Sequence, residues 1–170
     1  FEGNKFKGVD IEIASKIATK LGKTLFVKDM DFEAIIPSVA SGESDIGMAG
    51  LTVNDERLKT VDFSLGYYSS YQVITVREST TLFDECKNAE DVENILKAQT
   101  SKYKIGTQNG TTGYMYSAGD SGFGYDGFKN LTTKGYTTGA LAMKDLSNGK
   151  IDAVILDKQP SLMIAATLNK

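Results

Sequence analysis

The sequence predicts an α/β protein with largely parallel sheets, and three observations support this fold class. Segments with apolar residues at helical spacing alternate along the 170-residue chain with short runs of β-branched and apolar residues. Hydrophobic residues make up 41% of the sequence, which is enough for a packed core. A pattern of helix end, Gly, Asp and apolar strand occurs at 41–47 and again at 148–154, which indicates two similar lobes.

The first half of the chain opens with a helical pattern. Apolar residues repeat at four-residue spacing from Val9 to Leu21 and predict one helix, which Gly22 ends in a left-handed conformation. The elements predicted next are a strand at 24–27, a helix from Asp31 that breaks near Pro37 and stops at Gly42, a buried strand at 45–50, a short helix start at 54–57 and an extended piece at 61–64.

The second half alternates strands and helices. β-branched and aromatic residues predict a strand over 71–76, and the polar stretch 78–88 predicts an irregular loop. The elements predicted after it are a helix over 89–98, a strand over 104–107, a glycine-rich turn at 109–113 that opens a helix, a loop over 117–127, a helix from Thr138 to Leu146, a buried strand over 151–156 and a last helix with Pro160 in its first turn.

Composition excludes several classes of function. The net charge of −3 argues against a nucleic-acid partner, which usually needs a basic face. No apolar run approaches the roughly 18 residues of a membrane span. The chain has no histidine and one cysteine, Cys86, so His-based nucleophile systems, His or paired-Cys metal sites and an internal disulfide are excluded. We therefore expect no catalytic residues, no metal and no cofactor.

Polar groups follow three predicted strands, at the edge where open α/β sheets bind ligands. In the first place, Gly50 ends a strand with a free carbonyl and Thr52 adds a hydroxyl. Arg57 follows, and its planar guanidinium could reach back to a carboxylate. The alternative is a solvated helix turn in which Arg57 pairs with Asp55 or Glu56.

The other two places lie in the second half. The turn at 108–113 presents helix-start N–H groups to an anion, with hydroxyls from Thr111 and Thr112, or it serves as a simple helix cap. Asp157 directly follows a buried strand and can hold an ammonium group, or it caps the next helix. Together the three places suit the carboxylate and ammonium of an α-amino acid, and closure of two lobes would assemble them.

At this point the chain resembles a known family, the polar amino-acid-binding proteins of ABC transporters, which are periplasmic solute-binding proteins of the family 3 type. The motifs that carry the resemblance are FE at 1–2, FKGVDIEIA at 6–14, MDFEAIIP at 30–37, DIGMAGLT at 45–52, DER at 55–57, VDFS at 61–64, QNGTTG at 108–113 and DAVILD at 152–157. The resemblance implies a two-lobed periplasmic-binding-protein-like fold with mixed, mainly parallel sheets. It places lobe 1 at 1–70, a hinge strand at 71–77 and lobe 2 at 78–170.

The resemblance also implies roles for individual residues. Arg57 corresponds to the carboxylate clamp, Thr111 and Thr112 to backbone donors for the same carboxylate, and Asp157 to the ammonium partner. The other implied ligand-binding residues are Gly50 and Thr52 beside the ammonium group, Ala49 before Gly50, Gly110 before Thr111, Phe1 and Phe32 as aromatic walls, and Gln108 at the ligand side chain.

The implied function is that of a non-enzymatic receptor for a free amino acid, with a polar, glutamine-like side chain favoured and a basic one open. Its second partner would be the membrane permease of an ABC transporter. The place of action would be periplasmic or at the cell surface, with a lipid anchor in the full-length protein as one option.

The family continues on both sides of this chain, with a strand before Phe1 and further elements after Lys170. We therefore expect lobe 1 to be incomplete and its sheet to have an open place. A partner chain would fill it by forming a homo-oligomer or exchanging a strand, or the sheet would keep an exposed edge.

Two alternatives use the same fold. A cyclohexadienyl-dehydratase-like enzyme would need a carboxylate general acid, for which Asp157 and Glu2 are the candidates. A ligand-sensing domain of a larger receptor would use the same binding groups.

Overall fold

The computed structural model describes residues 6–169, and the chain divides into two compact units, Phe1–Thr52 and Val53–Lys170. This division precedes the predicted hinge strand at 71–77. The assignment of 1–70 and 78–170 as lobes therefore stays a prediction.

The unit Val53–Lys170 is built on a four-stranded sheet. Its strands are β1 (Gln72–Val76), β2 (Lys104–Gln108), β3 (Thr132–Tyr136) and β4 (Ala153–Asp157). The order across the sheet is β1-β4-β2-β3, with β4, β2 and β3 parallel and β1 antiparallel to β4. The expectation of a mixed, mainly parallel sheet is confirmed.

The described residues of this unit also form five α-helices: α3 (Asp55–Leu58), α4 (Ala89–Lys97), α5 (Thr112–Ala118), α6 (Gly139–Ser147) and α7 (Lys158–Leu168). Polar side chains start several of them as the sequence predicts. Thr138 caps α6 by accepting a hydrogen bond from the Leu141 N–H, and Asn88 caps α4 in the same way. Gly149 follows α6 with a φ of 71°, the left-handed stop expected of glycine.

The core of this unit lies on both faces of β4. Alternate residues of a strand point to opposite faces, so neighbouring residues of β4 enter two different clusters. Ala153 and Ile155 pack with Leu96 of α4, whereas Val154 and Leu156 pack with α6. A parallel strand covered on both faces reads as a continuous apolar run, which is why the sequence identified it.

The strand β3 was not predicted. Its sequence, Thr-Thr-Lys-Gly-Tyr, has no apolar alternation, and it lies at the edge of the sheet. It is a strand because its backbone pairs in register with all five residues of β2. The region predicted as a loop at 117–127 contains a short 3-10 turn at Ser121–Phe123.

The unit Phe1–Thr52 contains the predicted first helix as α1 (Val9–Lys20), followed by Gly22 at a φ of 64°. The predicted second helix begins as a 3-10 turn, Phe32–Ala34, and continues as α2 (Ile35–Ala40). The break therefore comes before Pro37. Because Pro37 lies in the first turn of α2, its missing N–H removes no helical hydrogen bond.

The two strands predicted in this unit, at 24–27 and 45–50, are wrong as strands. Within the described part of the chain, residues 24–30 and 45–49 make no backbone–backbone hydrogen bond. A strand exists only through pairing with a neighbour, so apolar and β-branched composition alone did not create one.

These two unpaired segments line a groove of about 600 Å³ together with α1. Its apolar lining includes Ile11 and Ile17 of α1, Leu25 and Val27 of the first segment, and Ile46 of the second. The groove thus combines apolar side chains with backbone that is not paired to another described backbone segment, as an open position in a sheet would.

Two leucine substitutions, one in the core and one at the surface, test this description of the core. Leu96 is 1% exposed in the core, whereas Leu65 is 92% exposed. We expect Leu96→Ala to lower the free energy of unfolding by about 2–5 kcal/mol, because it leaves a cavity. Leu65→Ala should change it by less than about 0.5 kcal/mol. Urea unfolding followed by circular dichroism checks both values, and equal effects would contradict this core.

Candidate functional site

Arg57 is held in a buried position by the short helix α3. Asn54 precedes the helix, and its side chain accepts a hydrogen bond from the Arg57 N–H at 2.7 Å. This cap fixes the helix start that carries the guanidinium. Arg57 is 8% exposed, so the alternative of a solvated helix turn is wrong for this residue.

The guanidinium of Arg57 contacts the glycine-rich turn. Its Nη2 donates to the Gly110 carbonyl at 2.9 Å, and its central carbon lies 5.5 Å from the centroid of the Phe123 ring. Burial lowers the pKa of Arg57 from its usual value, yet an arginine stays charged at neutral pH. Glu56, one of the proposed acidic partners, forms an ion pair with Lys59.

The glycine-rich turn connects β2 to α5. Gly110 has a φ of 69°, a left-handed conformation that side chains rarely adopt. The Thr111 hydroxyl donates to the Gln108 carbonyl at 2.7 Å and accepts from the Tyr114 N–H at 3.4 Å. Thr111 is therefore a helix cap, as one alternative held, and its hydroxyl is occupied. Thr112 is the first residue of α5 and is half-buried.

Gln108 ends β2 with its side chain turned to a neighbouring loop. Its amide Nε2 donates to the Thr137 carbonyl at 3.2 Å. This bond orients the side-chain amide next to the turn. Its predicted contact with the ligand side chain stays a prediction.

Asp157 ends β4 and occupies the N-cap position of α7, but its side chain makes no capping hydrogen bond. Its Oδ1 instead accepts a hydrogen bond from the side-chain amide of Gln72 on β1. The capping alternative is therefore wrong for this carboxylate. Asp157 is half-buried, so the carboxylate is partly desolvated and yet within reach of a small ligand.

Sequence reasoning missed two residues of this site, Gln72 and Phe123. Gln72 is a polar residue that opens an apolar strand, which is a signal in the sequence, but only the register of β1 against β4 pairs it with Asp157. Phe123 lies inside a segment rich in Gly, Ser and Asp that was predicted as a loop. No local pattern places an aromatic ring there against an arginine.

The site residues of Val53–Lys170 meet at the start of α5. Arg57 bonds to Gly110, and Gly113 is so close to Gln72 that a Cβ on Gly113 would lie 2.8 Å from the Gln72 Oε1. Gly110 and Gly113 are three residues apart, a distance of at most about 11 Å along the chain. The Arg57 guanidinium thus contacts the turn at the start of α5, and the Asp157 carboxylate lies close to the same helix start through Gln72.

The remaining predicted site residues belong to the other unit or lie outside the described residues. Gly50 has a φ of 60°, and its N–H donates to Asp10 Oδ2 at 3.2 Å. The others are Ala49, half-buried; Thr52, exposed; Phe32, half-buried at the start of the 3-10 turn; and Phe1, outside the described residues. Their roles at a ligand stay predictions.

Metal ligands do not cluster in the part of the chain that the structure describes. Within residues 6–169, no group of three or more Asp, Glu, Cys or His side chains is arranged to hold a metal ion. Among the helices of the same residues, none has the length and apolar composition needed to cross a lipid bilayer.

Comparison with known proteins finds a matching family and similar individual proteins. The sequence model of the bacterial extracellular solute-binding proteins, family 3, matches residues 1–154. The putative ABC transporter arginine-binding protein 2 of Escherichia coli is 28% identical over 154 residues, covering 91% of this chain and 55% of that protein. The probable histidine-binding protein of Campylobacter jejuni is 27% identical, covering 92% and 54%. The chain thus spans about half the length of these relatives.

Several solved structures are also similar to this chain. An arginine-bound mutant of ArgBP from T. maritima matches with a TM-score of 0.78 and 29% identity, over 98% of this chain and 70% of that one. An ancestral arginine-binding protein bound to glutamine matches with a TM-score of 0.76 and 33% identity, over 98% and 66%. The ancestral amino acid-binding protein AncCDT-1, a precursor of cyclohexadienyl dehydratase, matches with a TM-score of 0.80 and 27% identity, over 99% and 67%.

The cap of α5 generates a stability prediction. Thr111→Ala removes the hydroxyl that caps the helix, so we expect the free energy of unfolding to fall by about 0.5–2 kcal/mol. Thr111→Ser keeps the hydroxyl and should cost much less. Thermal unfolding of the three proteins side by side checks this, and an equal loss in both variants would show that the methyl group, not the cap, matters.

Proposed function

This chain belongs to the bacterial extracellular solute-binding proteins, family 3, and on that premise we propose that it binds a free α-amino acid for uptake by an ABC transporter. The observation that carries the proposal is the buried guanidinium of Arg57 at the start of α5, with the Asp157 carboxylate near the same helix start. These groups have the charges that complement an α-amino acid zwitterion.

The carboxylate of the ligand would bind at Arg57. A guanidinium forms two parallel hydrogen bonds with a carboxylate, and burial strengthens such a charged contact. The Nη2 of Arg57 donates to the Gly110 carbonyl, which places the planar fork of five N–H donors beside the glycine-rich turn. The backbone N–H groups of the glycine-rich turn would contact the same carboxylate.

The ammonium group would bind at Asp157. Its carboxylate is placed by β4 and is not used as a helix cap. Gly50 and Thr52 are proposed to add a carbonyl and a hydroxyl. Phe1, Phe32 and Gln108 are proposed around the ligand side chain. Ala49, which precedes Gly50, and Gly110, which precedes Thr111, are proposed as further binding residues.

The side chain of the ligand was expected to be glutamine-like. The names of relatives in E. coli and C. jejuni mention arginine and histidine, whereas an ancestral arginine-binding protein was also solved with glutamine. These names support L-arginine as the first ligand to test, with L-histidine and L-glutamine as competitors.

The partner and place of action follow from the same premise. We propose that the ligand-bound protein docks on the membrane permease of an ABC transporter outside the cytoplasm. The family is named as extracellular, and the relatives include ABC transporter binding proteins, which supports both statements. A lipid anchor in the full-length protein remains part of this proposal.

An enzymatic role has one supporting observation, the likeness to a precursor of cyclohexadienyl dehydratase. That neighbour is itself named as an amino acid-binding protein. Of the two candidate general acids, Glu2 lies outside the described residues. Asp157 accepts a hydrogen bond from Gln72, an arrangement that suits a carboxylate holding an ammonium group better than a carboxylic acid donating a proton.

Binding of L-arginine tests the proposal directly. We expect Arg57→Ala to weaken binding by about 2–5 kcal/mol, because the ligand carboxylate loses a buried charged partner. The matched control is Arg77→Ala. The Arg77 guanidinium donates to the carbonyls of Leu146 and Ile151 at 3.0 and 2.7 Å, so this change should lower stability and leave affinity unchanged.

Isothermal titration calorimetry of both variants measures these affinities. Unchanged affinity in Arg57→Ala, or an equal loss in both variants, would contradict the carboxylate clamp. Absence of heat with L-arginine, L-histidine and L-glutamine in the wild type would contradict amino-acid binding itself.

We also propose that an extended segment of a second copy fills the groove of Phe1–Thr52, as a homo-oligomer or by strand exchange. The support is that 24–30 and 45–49 make no backbone–backbone hydrogen bond with any other described residue and lie beside apolar side chains. Such an edge gains both hydrogen bonds and apolar burial by adding a strand.

The mass in solution tests this second proposal. We expect light scattering after size exclusion to give a mass above that of one chain, rising with protein concentration. Ile46→Lys places a charge in the groove lining and should return the mass to one chain, because a charge there opposes the apolar contact. Leu65→Lys, at a residue that does not line the groove, is the control. A single-chain mass at all concentrations would contradict the proposal.

A further inference from the structure

Gln72 is tied to Asp157 by both backbone and side chain. The two residues face each other in the antiparallel ladder of β1 and β4, so their side chains lie on the same face of the sheet. The Gln72 Nε2 donates a hydrogen bond to Asp157 Oδ1. Gln72 is thus placed to orient the carboxylate from the neighbouring strand.

The other end of the Gln72 amide, its Oε1, has no hydrogen-bond partner among residues 6–169, and it is buried. It lies beside Gly113, near the Ile155 carbonyl: a Cβ on Gly113 would lie 2.8 Å from the Oε1 and 3.0 Å from that carbonyl oxygen. Burying an acceptor without a donor is unfavourable.

The contact between the Gln72 Nε2 and Asp157 decides the orientation of the amide. A half-turn of the amide would place its oxygen against the Asp157 carboxylate, where two acceptors repel. The observed orientation keeps the N–H on Asp157 and leaves the Oε1 without a donor. Nearby, Thr75 on the same strand bonds through its hydroxyl to the Ser161 hydroxyl at 2.6 Å, so β1 also carries a polar pair with both members satisfied.

We propose that Gln72 is a positioning residue, which holds the Asp157 carboxylate in the orientation that receives the α-ammonium group of the ligand. The inference rests on the proposed amino-acid binding. It adds a residue that acts through Asp157 on the ammonium end of the ligand, and not on its carboxylate end. Without the Gln72 amide, the carboxylate is free to rotate and cap α7, since it already occupies the N-cap position.

The experiment compares two ligands in two variants. The ligands are L-arginine and its analogue in which hydrogen replaces the α-amino group. Gln72→Met keeps the length of the side chain and removes the amide. We expect it to weaken L-arginine binding on the order of tenfold, the size of one hydrogen bond to a charged group, and to leave the analogue unchanged. The control, Thr75→Val on the same strand, should change neither affinity.

The affinities for the two ligands separate a positioning role of Gln72 from a merely structural role. An equal loss for both ligands in Gln72→Met would show a general disturbance of the site and overturn the inference, as would unchanged L-arginine binding. In an Asp157→Asn background, Gln72→Met should cause no further selective loss, and a full additional loss would also overturn it.

The proposed function and this inference fail in distinguishable ways. If wild-type protein binds L-arginine and the analogue equally well, the ammonium role of Asp157 is wrong, and the inference falls with it. If the wild type prefers L-arginine and Gln72→Met keeps that preference, the proposed function stands and only the positioning role falls. The side-chain amide resonances of Gln72 in ligand-free protein add a check, because they should move in Asp157→Asn.

Discussion

The antiparallel pairing of β1 with β4 decides where the polar groups of Val53–Lys170 come together. Because β2 and β4 are parallel, their carboxyl ends lie at one edge of the sheet, and because β1 runs the opposite way, its amino end lies at the same edge. Gln72, Gln108 and Asp157 are the terminal residues that result. A slip of one residue between β1 and β4 would turn Gln72 to the other face and separate it from Asp157.

Buried polar groups accumulate around the start of α5, and burying them costs free energy. A charged guanidinium is expensive to bury, and so is a carbonyl oxygen without a donor. Arg57 is 8% exposed and bonds to Gly110, and the buried Gln72 Oε1 lies beside Gly113. Folding stability alone does not favour such an arrangement. Under the proposed function, a zwitterionic ligand would offset part of the cost, because its carboxylate would bind the buried guanidinium.

In the unit Phe1–Thr52, two segments with the apolar composition of strands do not form strands. Its segments at 24–30 and 45–49 have the residues of buried strands but no backbone ladder in the described chain, and they face a groove rather than a neighbour. Both predicted helices of the same unit form, the second with a 3-10 first turn, because every helical hydrogen bond is made within one segment. A β-strand forms only when a second segment pairs with it. The apolar pattern of these two segments is therefore real, but their assignment as strands is wrong.

The sequence by itself determined the local features of this protein. The caps Asn54, Thr111 and Thr138, the glycine stops and the chemical groups at Arg57 and Asp157 were readable because each depends on residues within one turn. Only the tertiary structure decided that Asp157 bonds to Gln72 instead of capping α7, that Phe123 lies against Arg57, and that Thr132–Tyr136 is a strand. These outcomes depend on strand register and on contacts between segments far apart in the chain, and no local pattern carries that information.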